Sequence, residues 1–161
     1  MDTYPFHPDF IWNADETMIS IADNQSKVIV FNDSPPPTRA IPSRLEHITL
    51  MLAGSASGYP LQPFTILPLK TMPNLSDELL TRYKFYVGNS SGWQTEESLI
   101  TWLFFHFVPN IQKMREIHGN DQPALLVLDG HSSRNNLNLK QLWDDHKVAI
   151  TLIPPNTSHL L

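Results

Sequence analysis

The chain contains no cysteine and only 6 glycines. The missing thiols exclude a disulfide framework, a zinc-thiolate centre and a cysteine nucleophile, and are compatible with a cytosolic or nuclear compartment. No glycine-rich loop of the kind that cradles phosphate groups is present. An excess of basic charge is also lacking, since 11 Lys and Arg against 16 Asp and Glu leave a net charge of −5. A protein whose main task is gripping DNA phosphates is usually basic, so this chain alone is not a strong DNA-gripping module. No apolar run approaches membrane-spanning length, and no membrane partner is expected. The opening Met1-Asp2-Thr3-Tyr4-Pro5 has neither the basic n-region nor the apolar h-region of a signal peptide. There is no Gly-x-Ser-x-Gly elbow and no His-Glu-x-x-His helix, and the 7 histidines are scattered. His131 lies beside Ser132 and Ser133, but neighbours in sequence are not triad partners.

What is present is an ordinary globular composition with 14 prolines, in a length that fits one domain, residues 1–161, with a real core. The most informative stretch is Ala124-Leu125-Leu126-Val127-Leu128-Asp129-Gly130-His131-Ser132-Ser133. Its unalternating apolar run reads as a strand buried on both faces. Asp129 then falls at the carboxyl end of that strand, where open α/β sheets place their ligands. A second strand pattern, Phe10-Ile11-Trp12, runs into Asn13-Ala14-Asp15-Glu16-Thr17, with Asn13 and Asp15 on one face and Glu16 on the other.

Further strands are expected at Lys27–Phe31, His47–Ala53, Phe64–Leu67 and Val148–Ile153. The first of these is expected to form a hairpin with the Trp12 strand. Phe64–Leu67, bracketed by Pro63 and Pro68, is expected at a sheet edge. Ser76–Leu80 reads as one helical turn and Phe85–Val87 as a brief pairing. Thr95 opens a helix whose apolar residues from Leu99 to Phe107 run almost all round it, so that it should be heavily buried, with a kink at Pro109. Leu139, Leu142, Trp143 and His146 mark another helix. The final strand-helix-strand unit should be parallel, in a mixed α/β sheet flanked by helices.

Asp15 and Asp129 are the candidate pair for chemistry, because both are expected at strand ends after apolar runs. On neighbouring strands their backbones would lie roughly 4.8 Å apart. Carboxylates that close repel, and a divalent cation relieves the conflict; hard oxygen ligands suit Mg2+ or Mn2+. Such a site supports metal-assisted phosphoryl transfer. On the residues alone, the alternative that each Asp simply ends its own turn stays open.

Five segments together resemble one family. Trp12-Asn13-Ala14-Asp15-Glu16-Thr17, Leu50–Gly58, Gly92-Trp93-Gln94-Thr95, Leu128-Asp129-Gly130-His131-Ser132-Ser133 and Ile153-Pro154-Pro155-Asn156-Thr157-Ser158-His159-Leu160-Leu161 resemble, in order, signature segments of the DDE-superfamily transposases. The likeness is to the pogo/Tigger group, related to mariner transposases and to domesticated centromere-binding and Jerky-like proteins. It implies a ribonuclease H-like fold in which the first and fourth strands lie side by side. Asp15 and Asp129 would be catalytic residues and ligands of Mg2+ or Mn2+.

His131 and Asn13 are the candidates to orient a metal ligand or touch DNA. The implied activity is metal-dependent DNA strand cleavage and transfer. The implied partners are transposon ends, target DNA and a second copy of the protein, in the nucleus. In the family a third acid follows the His-Leu-Leu segment, so a core lacking that acid and its helix, inactive by itself, is the expectation here. A domesticated, non-catalytic DNA-binding or interaction protein that keeps the fold is the alternative.

Overall fold

The computed structural model describes residues 6–20, 47–87, 92–129 and 139–154. The expected strand at Lys27–Phe31, His131 with its neighbours, and the segment from Asn156 to Leu161 lie outside these residues.

A 3-10 turn at Pro8–Phe10 leads into β1 (Ile11–Ser20). Trp12 Nε1 donates to the Asp9 carbonyl at 2.9 Å and fixes the strand's start. β2 (His47–Ser55), β3 (Phe64–Ile66), α1 (Asp77–Arg82) and β4 (Lys84–Tyr86) follow. Then come α2 (Glu96–Trp102), a π-helical turn (Leu103–Phe107), α3 (Val108–His118), β5 (Ala124–Asp129), α4 (Leu139–His146) and β6 (Val148–Ile153).

The strands form one six-stranded sheet in the order β4-β3-β2-β1-β5-β6. β1 pairs antiparallel with β2, which pairs antiparallel with β3, whereas β5 runs parallel to both β1 and β6. An antiparallel meander continued by parallel strands, with the first strand beside the later acid-bearing one, is the ribonuclease H-like arrangement. Within it β3 is not an edge strand. β4 pairs parallel to it and takes the edge, and Pro63 and Pro68 lie outside the three residues that need both neighbours. All three residues of β3 are buried.

One sheet face makes the core. Trp12 and Ala14 of β1, Met51 of β2, and Leu126 and Leu128 of β5 pack against Leu99, Trp102, Leu103, Phe107, Ile111 and Met114 of the helical layer. Trp102 stacks on Phe107 with ring centroids 5.3 Å apart, and Trp12 meets Phe107 edge-on at 5.9 Å. Aromatic packing of this kind adds about 0.5–1.5 kcal/mol per pair beyond the area buried.

The helical layer departs from expectation in two ways. Its apolar residues do not bury all round: Phe105 is 80% exposed, because only the Leu99–Trp102–Leu103–Phe107 stripe faces the sheet. The break also precedes Pro109 and takes the form of a widened turn. The Val108 N–H bonds five residues back to the Leu103 carbonyl, and α3 restarts with Pro109 in its first turn, where a missing N–H costs nothing.

The helix starts are well made. Thr95 Oγ1 accepts from the Ser98 N–H at 3.2 Å, and Ser98 Oγ accepts from the Thr95 N–H at 2.8 Å, a reciprocal capping box. Ser76 caps α1 more simply, its Oγ accepting from the Leu79 N–H.

Beneath the sheet, at the starts of β5 and β6, Arg115 of α3 donates to the carbonyls of Gln122, His146 and Lys147. One planar guanidinium thus ties the two parallel strands together at their amino ends.

Candidate active site

The register decides which side chains meet. β1 and β5 pair as Ile11↔Leu125, Trp12↔Leu126 and Asn13↔Val127. Continuing the two-residue strand period by one step sets Asp15 beside Asp129. Directly paired residues share a face, and that face is the one opposite Trp12, Ala14, Leu126 and Leu128. Both acids therefore point away from the core. Asp15 is exposed and Asp129 half-buried. Asp129 ends β5. Asp15, by contrast, lies mid-strand, since β1 runs on to Ser20 alongside β2. The expectation of two strand ends is thus met by one residue only. What brings the acids level is that β5 stops where β1 reaches Asp15.

Asp15 and Asp129 line one cavity of about 500 Å³, together with Asn13, Gly54, Ser55, Ala56 and Ile153, among others. It spans the sheet from β2 to β6, with the acids over its middle strands. Asn13 stands one strand period before Asp15, and its Nδ2 donates to the Val127 carbonyl at 3.3 Å. This bond crosses from β1 to β5 directly below the acids. It supports the relative height of the two strands, with the amide spent on that link. Asp15 Oδ1 accepts from the N–H of Glu16 at 2.8 Å, which sets the orientation of its carboxylate.

Glu16 points to the opposite side of the sheet, as its place in the strand requires. It lines a separate cavity with Met18, Thr49, Trp93 and Gln94. The Gln94 amide, with its nitrogen turned toward the carboxylate, donates to Glu16. His131, the other candidate, falls outside the described residues.

The paired acids offer only oxygen donors, which fits a hard divalent cation such as Mg2+ or Mn2+. Among the described residues no cluster of three or more His, Cys, Asp or Glu side chains converges to hold a metal, and the acids that line this cavity are Asp15 and Asp129. The wall residues Gly54, Ser55, Ala56 and Ile153 were not singled out from the sequence as part of a site. Gly54-Ser55 reads there as the close of a strand, and only the pairing register reveals that it adjoins Asn13.

Comparison with known proteins supplies the family. A family model described as DDE superfamily endonuclease matches residues 45–161, well over half of the chain. Among curated proteins, the MFS-type transporter clz9 of Cochliobolus lunatus is 28% identical over 128 residues, a match that takes in 78% of this chain and 13% of that protein. Among solved structures, the Mos1 strand transfer complex is similar over 89% of this chain and 34% of that chain, with 10% identity and a TM-score of 0.40. The Mos1 transposase paired-end complex with the left transposon end is similar over 89% and 35%, with 13% identity and a TM-score of 0.38. The chain therefore spans 13% of the length of this curated relative and about a third of each Mos1 chain. No helix among the described residues is long and apolar enough to cross a membrane. By the family model that covers most of its length, the chain belongs to the DDE superfamily endonucleases.

Proposed function

We propose that this chain is the strand-cleaving core of a DDE-type DNA transposase or endonuclease, of the pogo/Tigger kind, acting on DNA in the nucleus with Mg2+ or Mn2+ held by Asp15 and Asp129. The observation that carries this reading is the register. Two aspartates more than a hundred residues apart arrive on one face of adjacent strands and line a single cavity. Two anions facing one another at the spacing of adjacent strands repel, and a divalent cation between them relieves that repulsion.

When bound, a divalent ion there supplies charge neutralisation and an activated oxygen nucleophile for phosphodiester cleavage. The chain's own part is positioning. Phosphoryl transfer asks little covalent chemistry of a protein and much geometric constraint. The β1–β5 register supplies that constraint, and the Asn13–Val127 link holds it next to the reacting centre. Asp15 is steadied by the Glu16 N–H, so it presents a fixed oxygen to the cavity. Buried Trp12, Ala14, Leu126 and Leu128 on the reverse face prevent either strand from turning over.

The test is Mg2+-dependent nicking of a supercoiled plasmid by the full-length protein. Asp15→Asn and Asp129→Asn should each abolish nicking while leaving the far-ultraviolet circular dichroism spectrum unchanged. Nicking that persists in either variant refutes the assignment.

A further inference from the structure

Gly54 sits in the interior of β2, directly across from Asn13. Directly paired residues share a face, so a side chain at position 54 would rise on the face that bears Asp15 and Asp129, and Gly54 indeed lines their cavity. Nothing among the described residues requires glycine there. The glycines with positive φ among the described residues are Gly58, Gly92 and Gly119, so the backbone at Gly54 suits any L-residue. A Cβ built on Gly54 meets one described heavy atom within 4 Å, the Tyr59 carbonyl oxygen, at the ordinary contact distance of 3.8 Å. A glycine inside a strand loses more conformational freedom on folding than alanine and contributes no packing. The sheet would gain from a side chain at this position, and the described residues leave room for one.

Ser55 and Ala56 continue the lining; Ser55 pairs with Trp12, so its side chain belongs to the core-side face, and what it adds to this wall is backbone that is held fast. The Ala56 N–H donates to the Ile11 carbonyl at 2.8 Å and the Ser55 N–H to the Tyr59 carbonyl at 2.9 Å. Ser55 Oγ accepts from the Tyr59 N–H at 2.9 Å, which turns the hydroxyl into its own loop. Among the described residues the cavity thus has a rigid, nearly bare shelf on its β2 side, while its β6 side carries the branched side chain of Ile153.

We propose that Gly54 is a specificity-determining residue, a gap kept open so that a DNA sugar-phosphate backbone can pass over β2 and reach Asp15 and Asp129. The inference rests on the reading of those two acids as a metal-dependent phosphodiester site. It assigns the direction from which the polymer approaches, across β2 rather than across β6. It separates ligand access from stability and from metal binding, because a side chain at position 54 extends over the shelf and replaces no carboxylate.

The experiment uses the whole chain, with Mn2+ as the metal probe and a fluorescein-labelled DNA duplex as the polymer probe. Thermal midpoint, Mn2+ affinity from water proton relaxation and duplex affinity from fluorescence anisotropy are measured for wild type, Gly54→Ala and Gly54→Leu. Gly54→Ala should melt at the wild-type temperature or a few degrees higher, as expected when a strand glycine gains a Cβ without strain. Both variants should keep wild-type Mn2+ affinity. Mn2+-dependent duplex binding should weaken in the order Ala then Leu, reaching about tenfold or more for Leu, equivalent to about 1.4 kcal/mol.

Unchanged duplex affinity in Gly54→Leu with Mn2+ affinity intact overturns the proposal and leaves the two-acid reading standing. A Gly54→Ala variant that melts well below wild type also overturns it, because the glycine is then structural. Wild-type chain that holds Mn2+ but shows no duplex binding overturns it as well. Absence of Mn2+ binding in wild type refutes the two-acid reading itself, and the inference falls with it.

Discussion

Replacing Asp129 by asparagine should remove most of the thermal stabilisation that a divalent ion gives the wild-type chain. Asp15 and Asp129 face one cavity from adjacent strands, whose backbones run roughly 4.8 Å apart. An ion held between them stabilises the folded chain by mass action, because the unfolded chain holds no such pair. Wild type should gain about 2.7 kcal/mol when the ion stands at a hundred times its dissociation constant, roughly 5–11 °C in midpoint for a chain of this size. D129N, with one carboxylate at the cavity, should gain little. Paired melts by circular dichroism in EDTA and in a Mn2+ series check this. Equal Mn2+-induced shifts in both proteins would refute the shared-cation argument.

Two predictions concern the helical layer. His106 Nε2 lies 2.6 Å from the Gln62 carbonyl, which can only accept, so the ring is protonated at that nitrogen. Burial lowers the pKa of His106 below its usual value; the Gln62 bond opposes this and Lys84 adds to it. A histidine whose pKa falls on folding takes up a proton more readily when unfolded. Its influence is absent above about pH 6.5 and becomes destabilising as pH falls from there toward the lowered value. Urea midpoints measured from pH 8 to 5 should decline across that interval, and His106→Gln should flatten the decline. Thr95→Ala removes one arm of the capping box and should cost about 1 kcal/mol in urea denaturation, with partial recovery in Thr95→Ser.

Much of the fold could be read in the sequence because its strongest signals are local. The apolar run Ala124–Leu128 forms β5, and Val148–Ile153 forms β6 with the expected parallel pairing. Thr95 opens α2, and the Leu139–His146 spacing gives α4. What depended on partners was less accessible. Phe64–Ile66 looked like an edge strand because of its flanking prolines; the brief pairing read at Phe85–Val87 is the strand Lys84–Tyr86 that covers it, and nothing local to so short a segment shows which strand it joins. Phe105 has the composition of a core residue but the wrong angular position on the helix.

The site divides in the same way. Asp129 and Asp15 were both visible as acids following apolar strand patterns, and the family-like segments pointed to the same two. Their level alignment, and the presence of Gly54 on the same cavity, follow from strand pairing between segments far apart in the chain. No single-strand pattern encodes that register.

The widened turn at Leu103–Phe107 bears on how this layer tolerates change in length. A π turn holds one more residue than an α turn, so it acts as an insertion absorbed without a loop. It shifts the angular phase of everything that follows by about one residue, roughly 100° around the helix axis. Ile111 and Met114 meet the sheet only in that shifted phase. Deleting a single residue between Leu103 and Phe107 would restore a regular helix and at the same time rotate those two side chains off the core. A more regular local geometry would thus give a less stable protein, and the irregular turn is the condition for both halves of the layer to face the sheet that carries Asp15 and Asp129.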